Sequence, residues 1–192
     1  MANTSEKFGL RPYRSINGAP WNNAQNRYTI ASSNSTAIFQ GDPVKPLTSG
    51  NITLQASNTS FASVGVFNGV FYTDPTTQKP TFANYYPGSI AASDITAFVV
   101  DDPDTVFLVD ADAAFTRADL FRNYSLTNVT GNTLTGISKK QLNVSQSGTA
   151  TTFAVQAIDI AQDPNNEDTA SSNANVMVRI NNHFYKSGTT GL

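Results

Sequence analysis

This 192-residue sequence predicts an all-β fold. The expected form is an antiparallel β-sandwich or small β-barrel with one short helix and an extended N-terminal arm. Three observations predict it. Only 14% of the residues are charged, while Asn, Ser, Thr and Gly are abundant, which suits many turns and short strands. Short runs of β-branched and aromatic residues recur between clusters of Gly, Pro, Asn and Asp. No long segment carries the apolar period of a helix. A chain of this length buries a sizeable core, as one domain or two small ones.

Residues 1–26 mix Pro12, Asn17-Gly18, Pro20 and Trp21 without a sustained period. They read as an extended arm with a turn at "NGAP". Phe8, Leu10, Tyr13 and Trp21 are a large apolar load for a free tail, so the arm is expected to dock on a partner. Removing it is expected to leave a folded β domain over 27–192, with two sub-lobes dividing near 115–135 as a further option.

From Arg27 onward the signals are strands. "RYTIA" is followed by "AIFQGDPVKPL", in which Gly41-Asp42-Pro43 separates two apolar runs, and then by "SGNITL". "SVGVFNGVFYTD" is the strongest strand. Strict alternation puts Val64, Val66, Val70 and Tyr72 on one face and Phe67 and Phe71 on the other, with Gly65 and Gly69 leaving room for a bend. Both faces are apolar, so this strand is expected to be central. "TFANYYPG" leads away from the loop "PTTQKP". "DITAFVV" and "TVFLV" are two buried strands joined by "DDPD". "AAFTRADLFRNYSL" is the one helical candidate. "GISKKQLNV" and "TTFAVQAIDI" return to β structure. In the latter, Phe153, Val155 and Ala157 share a face and Ile158 and Ile160 take the other, which calls for a bulge or two-sided burial. "NVMVRI" closes the sheet with Val176, Val178 and Ile180 inward and Arg179 outward.

Charge and composition exclude several classes. The net charge of −2 carries no nucleic-acid signature, although residues 1–41 set Lys7, Arg11, Arg14 and Arg27 against Glu6 alone and leave an acidic body behind them. Cysteine is absent, so there is no disulfide and no thiolate nucleophile or ligand. The opening residues hold no apolar core of a signal peptide, and no apolar run approaches a membrane span. Sequons such as Asn34-Ser35-Thr36 and Asn58-Thr59-Ser60 are therefore read as accidents of an Asn- and Thr-rich chain.

Asp101, Asp102, Asp104, Asp110 and Asp112 crowd one short span. An acid/base pair needs two carboxyls in different environments facing one substrate. A cation site needs converging oxygens, and the spacing of an EF-hand loop is missing. Asp-Pro pairs favour turns, since Asp bonds its own backbone and Pro fixes φ. A turn with a solvated edge is the favoured reading of the three. His183 is the single histidine. It sits beside Phe184 and Tyr185 at a strand end, where packing is commoner than catalysis, and no G-x-S-x-G elbow accompanies it. A hydrolase using the Asp101–Asp112 span is the weakest of the functional readings. Tyr85, Tyr86 and Trp21 suit a sugar-stacking platform, a protein interface or core packing.

The stretches "EKFGLRPYRSINGAPWNNAQNRYTIA", "AIFQGDPV", "VGVFNGVFYTDPTTQKPTFANYYPG", "FVVDDPDTVFLVDADAAFTRADLF" and "ANVMVRINNHFY" together resemble the decoration (cement) proteins of tailed phages, especially those of cyanobacterial and other aquatic hosts. The resemblance runs from about Glu6 to Tyr185. It implies a β-rich, non-enzymatic protein made in the bacterial host cytoplasm, without cofactor or metal, that binds the outer surface of the mature capsid. Its implied partners are the major capsid protein and further copies of itself, as a dimer or trimer. Neither nucleic acid nor membrane is implied. Within that frame the expected capsid-binding residues are Phe8, Leu10, Arg11, Tyr13, Arg14 and Trp21, and the expected subunit interface is Tyr85 and Tyr86. The alternative reading is a carbohydrate-binding β-sandwich on the virion surface, used for host adhesion.

Overall fold

The computed structural model describes residues 3, 5–56, 62–164, 166–168, 170–188 and 190–192. The sequon at Asn58 lies outside them. The described chain is an antiparallel β-sandwich of two six-stranded sheets and one two-stranded ribbon.

The first sheet runs in the order β1 (Arg11–Ser15), β10 (Thr105–Asp110), β14 (Asn175–Ile180), β13 (Val155–Ile160), β11 (Asn123–Leu126), β12 (Leu142–Gly148). The second runs β2 (Asn26–Thr29), β9 (Thr96–Val100), β6 (Gly65–Thr73), β4 (Pro43–Pro46), β5 (Ile52–Leu54), with β7 (Pro80–Ala83) also paired to β6. The ribbon joins β3 (Ile38–Phe39) to β8 (Tyr85–Tyr86). The chain changes sheets at Asp101–Asp104 rather than near 115–135, and β1, the earliest strand, belongs to the later sheet.

Residues 5–26 are largely extended, as expected, but they are not a free arm. β1 pairs with β10 over Arg11↔Leu108 to Ser15↔Thr105. Residues after it turn back, with Ser15 N–H donating to Ala19 O at 2.8 Å and Arg14 bridging Pro20, so the outer edge of β1 is covered. Leu10 is only 1% exposed and sits in the core of the first sheet with Phe107, Val109, Val176 and Val178. Gly9 and Gly41 make this docking possible. Leu10 N–H donates to Gly41 O at 2.9 Å, and a Cβ on Gly41 would lie 2.5 Å from Phe8 O. Gly41 also holds φ +93°, a conformation L side chains rarely adopt.

β6 is central, as its two apolar faces require, but its faces are not those of strict alternation. A bulge between Phe67 and Gly69 shifts the register against β9. Phe67 consequently joins Val70 and Tyr72 in the second sheet's core, while Val66 and Val100 join the core of the first. The bulge anticipated in β13 is present between Ala157 and Asp159, and it returns Ile160 to the side of Val155 and Ala157 instead of leaving it with Ile158. In β14, Val176, Val178 and Ile180 face the core, and Arg179 donates to Gln156 Oε1 at 3.0 Å.

The expected helix is reduced to one 3-10 turn, Arg117–Asp119. A capping box opens it, Asp119 Oδ2 accepting from Thr116 N–H at 3.0 Å and Thr116 Oγ1 at 2.8 Å, and the chain is already extended at Leu120. Beyond it Phe121 takes φ +64°, and residues 123–126 are buried as β11. Burial of Tyr124, whose hydroxyl donates to Asp119 O at 2.6 Å, outweighs the local helical preference.

Candidate functional site

The six side chains expected to anchor the chain divide between interior and surface. Phe8 and Leu10 are buried, which follows from the docking of residues 8–15 and removes both from any surface contact. Trp21 is half-buried against the first sheet's core and lines, with Leu10, Val66, Val100, Gln40 and Asn68, a cleft of about 410 Å³. Arg14 reaches Met177 Sδ at 3.8 Å. Arg11 and Tyr13 point outward. The Arg11 guanidinium lies 4.2 Å over the Phe8 ring, and Tyr13 and the adjoining Ile16 are each nearly half exposed. Of the expected interface tyrosines, Tyr86 is fully buried, its hydroxyl donating to Asn34 O at 2.8 Å. It is a core residue and cannot meet a partner. Tyr85 stacks on Phe39, ring centroids 5.3 Å apart and nearly parallel.

The five clustered aspartates each bind separate partners. Asp101 accepts from Asn26 Nδ2 at 3.0 Å and Tyr28 OH at 2.6 Å. Asp102 Oδ1 accepts from Asp104 N–H at 2.9 Å, the turn that Asp-Pro chemistry favours. Asp104 is paired with Lys186. Asp110 accepts from Gln141 Nε2 at 3.0 Å and Asp112 from Val144 N–H at 2.9 Å. Among the described residues no three His, Cys, Asp or Glu side chains converge to hold a metal ion.

The turn at Asp101–Asp104 instead holds the C-terminal segment. Tyr28 bridges Asp101 and Tyr185, the two hydroxyls 3.0 Å apart, and its own ionisation is pushed far up by burial and by those partners. His183 is buried. Its Nδ1 accepts from Tyr185 N–H at 3.1 Å, so the neutral ring carries its proton on Nε2. Burial pushes its pKa down, against the opposing pull of Asp101, Asp102 and Asp104. Ser63, joined to it by an isolated β-bridge, turns its hydroxyl to the carbonyls of Val44 (2.9 Å) and Gly65 (2.8 Å), not to the imidazole. That hydroxyl is therefore not activated as a nucleophile.

Asp110 is 1% exposed, and burial raises its pKa to about 6, against the hydrogen bond from Gln141 that lowers it. An unfolded aspartate titrates near 3.9. Between those two values the folded chain holds a proton that the unfolded chain has lost. The stability that Asp110 contributes is therefore present below about pH 4 and is gone once the pH passes about 6. Asp110→Asn is expected to raise stability at pH 7 by up to about 3 kcal/mol and to leave it unchanged near pH 4. Urea unfolding at pH 4, 5, 6 and 7 measures this, and equal shifts at every pH would refute it.

Sequence reasoning missed a surface on the second sheet. Phe71 and Phe98 are half-buried and flank Phe82, which is 73% exposed. Phe82 lies 4.8 Å from Phe71 and 6.5 Å from Phe98 between ring centroids, and the Arg27 guanidinium lies 6.0 Å from the Phe98 ring. Phe82 follows a Pro-rich loop, and only its pairing with Phe71 across β6 and β7 brings the rings together. A buried polar group was also missed. Asp42 accepts from Phe39 N–H at 2.9 Å and Ser138 Oγ at 2.6 Å, near the buried amine of Lys140. Burial pushes the Asp42 carboxyl up and the Lys140 amine down.

Fold and surface together define an antiparallel β-sandwich with exposed apolar side chains at separate places and no assembled catalytic group among the described residues. No family model, curated protein or solved structure matches the chain.

Proposed function

We propose that this chain is a non-enzymatic decoration protein that binds the outside of a mature tailed-phage capsid and stabilises it. The mechanism is mass action. A protein that binds only the intact shell stabilises that shell, and contacts with several capsomers add avidity. The resemblance over most of the chain supports this reading. The observation that carries it is the placement of exposed apolar side chains at both sheets, Tyr13 and Ile16 at and just after β1 on the first and Phe82 in β7 on the second, among other exposed apolar residues such as Phe121 and Leu134. Such a protein needs one surface for the shell and another for its neighbours.

The first of these surfaces is assigned to the shell. The test is co-sedimentation with undecorated shells of the phage whose genome encodes the chain. The wild-type protein is expected to pellet with shells, and added salt to weaken attachment. Tyr13→Ala with Arg11→Ala is expected to cost about 1–4 kcal/mol per anchor without altering the circular dichroism spectrum. Failure to pellet with any shell, together with selective retention on a glycan array, would replace this reading by the carbohydrate-binding one.

A further inference from the structure

We infer that the aromatic row on the second sheet is the surface by which two copies of this chain pair face to face about a two-fold axis. The inference rests on the decoration reading for its setting, since it names the partner of one of the two surfaces.

Cross-strand register aligns the row. Phe82 lies opposite Phe71, and Phe71 opposite Thr96. Phe98 lies opposite Gly69 on one side and Arg27 on the other. These residues share one face of the sheet, because partners across a sheet point the same way. Nearer the first sheet that same face is covered, where Val66 and Val100 enter the other sheet's core. Beyond Gly69 it lies open, and it ends in the most exposed phenylalanine of the described residues.

Charge selects the occupant. On one side of the line through Phe82, Phe71 and Thr96 stands Arg27 beside Phe98. On the other side stands Asp94, two residues before Thr96, whose carboxylate accepts from Thr73 N–H at 3.1 Å and Thr73 Oγ1 at 2.6 Å. Asn26 and Tyr28, on either side of Arg27, hold Asp101 on the opposite face, so it does not neutralise the guanidinium there. A two-fold axis running across the strands along Phe82, Phe71 and Thr96 lays Phe82 and Phe71 each against its own copy. The same axis brings the Arg27 side of one chain over the Asp94 side of the other. The face is thus self-complementary in shape and in charge, as an isologous contact requires.

Sedimentation velocity of the free protein over a concentration series tests this. The wild type is expected to pass from monomer to dimer, and Phe82→Ser to weaken pairing at least roughly tenfold with an unchanged circular dichroism spectrum. Arg27→Asp and Asp94→Arg are each expected to weaken it, and the two together to restore it. A wild type that stays monomeric at every concentration, or a double charge swap that rescues nothing, overturns the pairing. Co-sedimentation with shells is read separately. Attachment by a strictly monomeric protein sinks the pairing and spares the decoration reading. Dimers that ignore shells do the reverse.

Discussion

A chain lacking residues 1–21 is expected to lose cooperative folding altogether. The deletion strips β1 from β10, exposes the core beneath Leu10 and removes Trp21 from the same cluster. Leu10→Ala alone should cost about 2–5 kcal/mol, since it removes a fully buried branched side chain from a packed interior. A domain of this size commonly has only about 5–15 kcal/mol to lose. Tyr13→Ala, two strand positions beyond Arg11 and pointing outward, should cost well under 1 kcal/mol of stability. Urea unfolding followed by circular dichroism separates the two cases. If the truncated chain unfolds cooperatively with the wild-type midpoint, residues 1–21 are a separable arm after all. The contrast also shows why an attachment assay on the truncated protein would mislead, because lost binding there would report lost folding.

The second large effect is expected at Asp42, and it is asymmetric. Asp42→Ala removes the acceptor of a buried Phe39 N–H and of Ser138 Oγ, and leaves the Lys140 amine without its nearby carboxylate. Leaving two buried donors without their acceptor typically costs about 1–3 kcal/mol each. Lys140→Met should cost far less. Lys140 is 1% exposed yet donates only one long bond, to Thr127 O at 3.5 Å, and its burial already disfavours the ammonium form. An apolar side chain of similar length removes that desolvation penalty, so the change is expected to fall between about 1 kcal/mol destabilising and mildly stabilising. Thermal unfolding of both variants decides it. Equal losses for the two would show that the amine matters as much as the carboxylate.

The strands were legible in the sequence because a half-buried strand writes its two faces as alternation, and turn chemistry marks its ends. β14 reads correctly residue by residue, and the Asp-Pro turn at 101–104 forms the bond from Asp104 N–H to Asp102 Oδ1 that its composition favours. Alternation fails where an extra residue enters. The bulge near Asn68 sets Val70 and Tyr72 on the same face as Phe67 instead of that of Val66, since one added residue reverses every later side chain. The aromatic row was concealed for a different reason, since only the pairing of β6 with β7 and β9 sets Phe82, Phe71 and Phe98 on one face.

Sequence by itself determined that the chain is all-β, that β6 is central, that no thiolate chemistry exists and that Asp102-Pro103-Asp104 forms a turn, whereas Asp110, read as part of the same solvated edge, is a buried strand residue. Tertiary structure decided which sheet each strand joins, because pairing partners far apart in the chain leave no local pattern. The adjacent strands β9 and β10 look like a hairpin and lie in different sheets. It decided that the apolar residues of the first 21 positions divide between core and surface, since Leu10 fills a hole made by β10 and β14 while Tyr13 two strand positions past Arg11 meets solvent. It also decided that Tyr86 is interior and Phe82 exterior. Both are aromatic residues in short strands of similar composition, and only the neighbours that fold over them determine which one is covered.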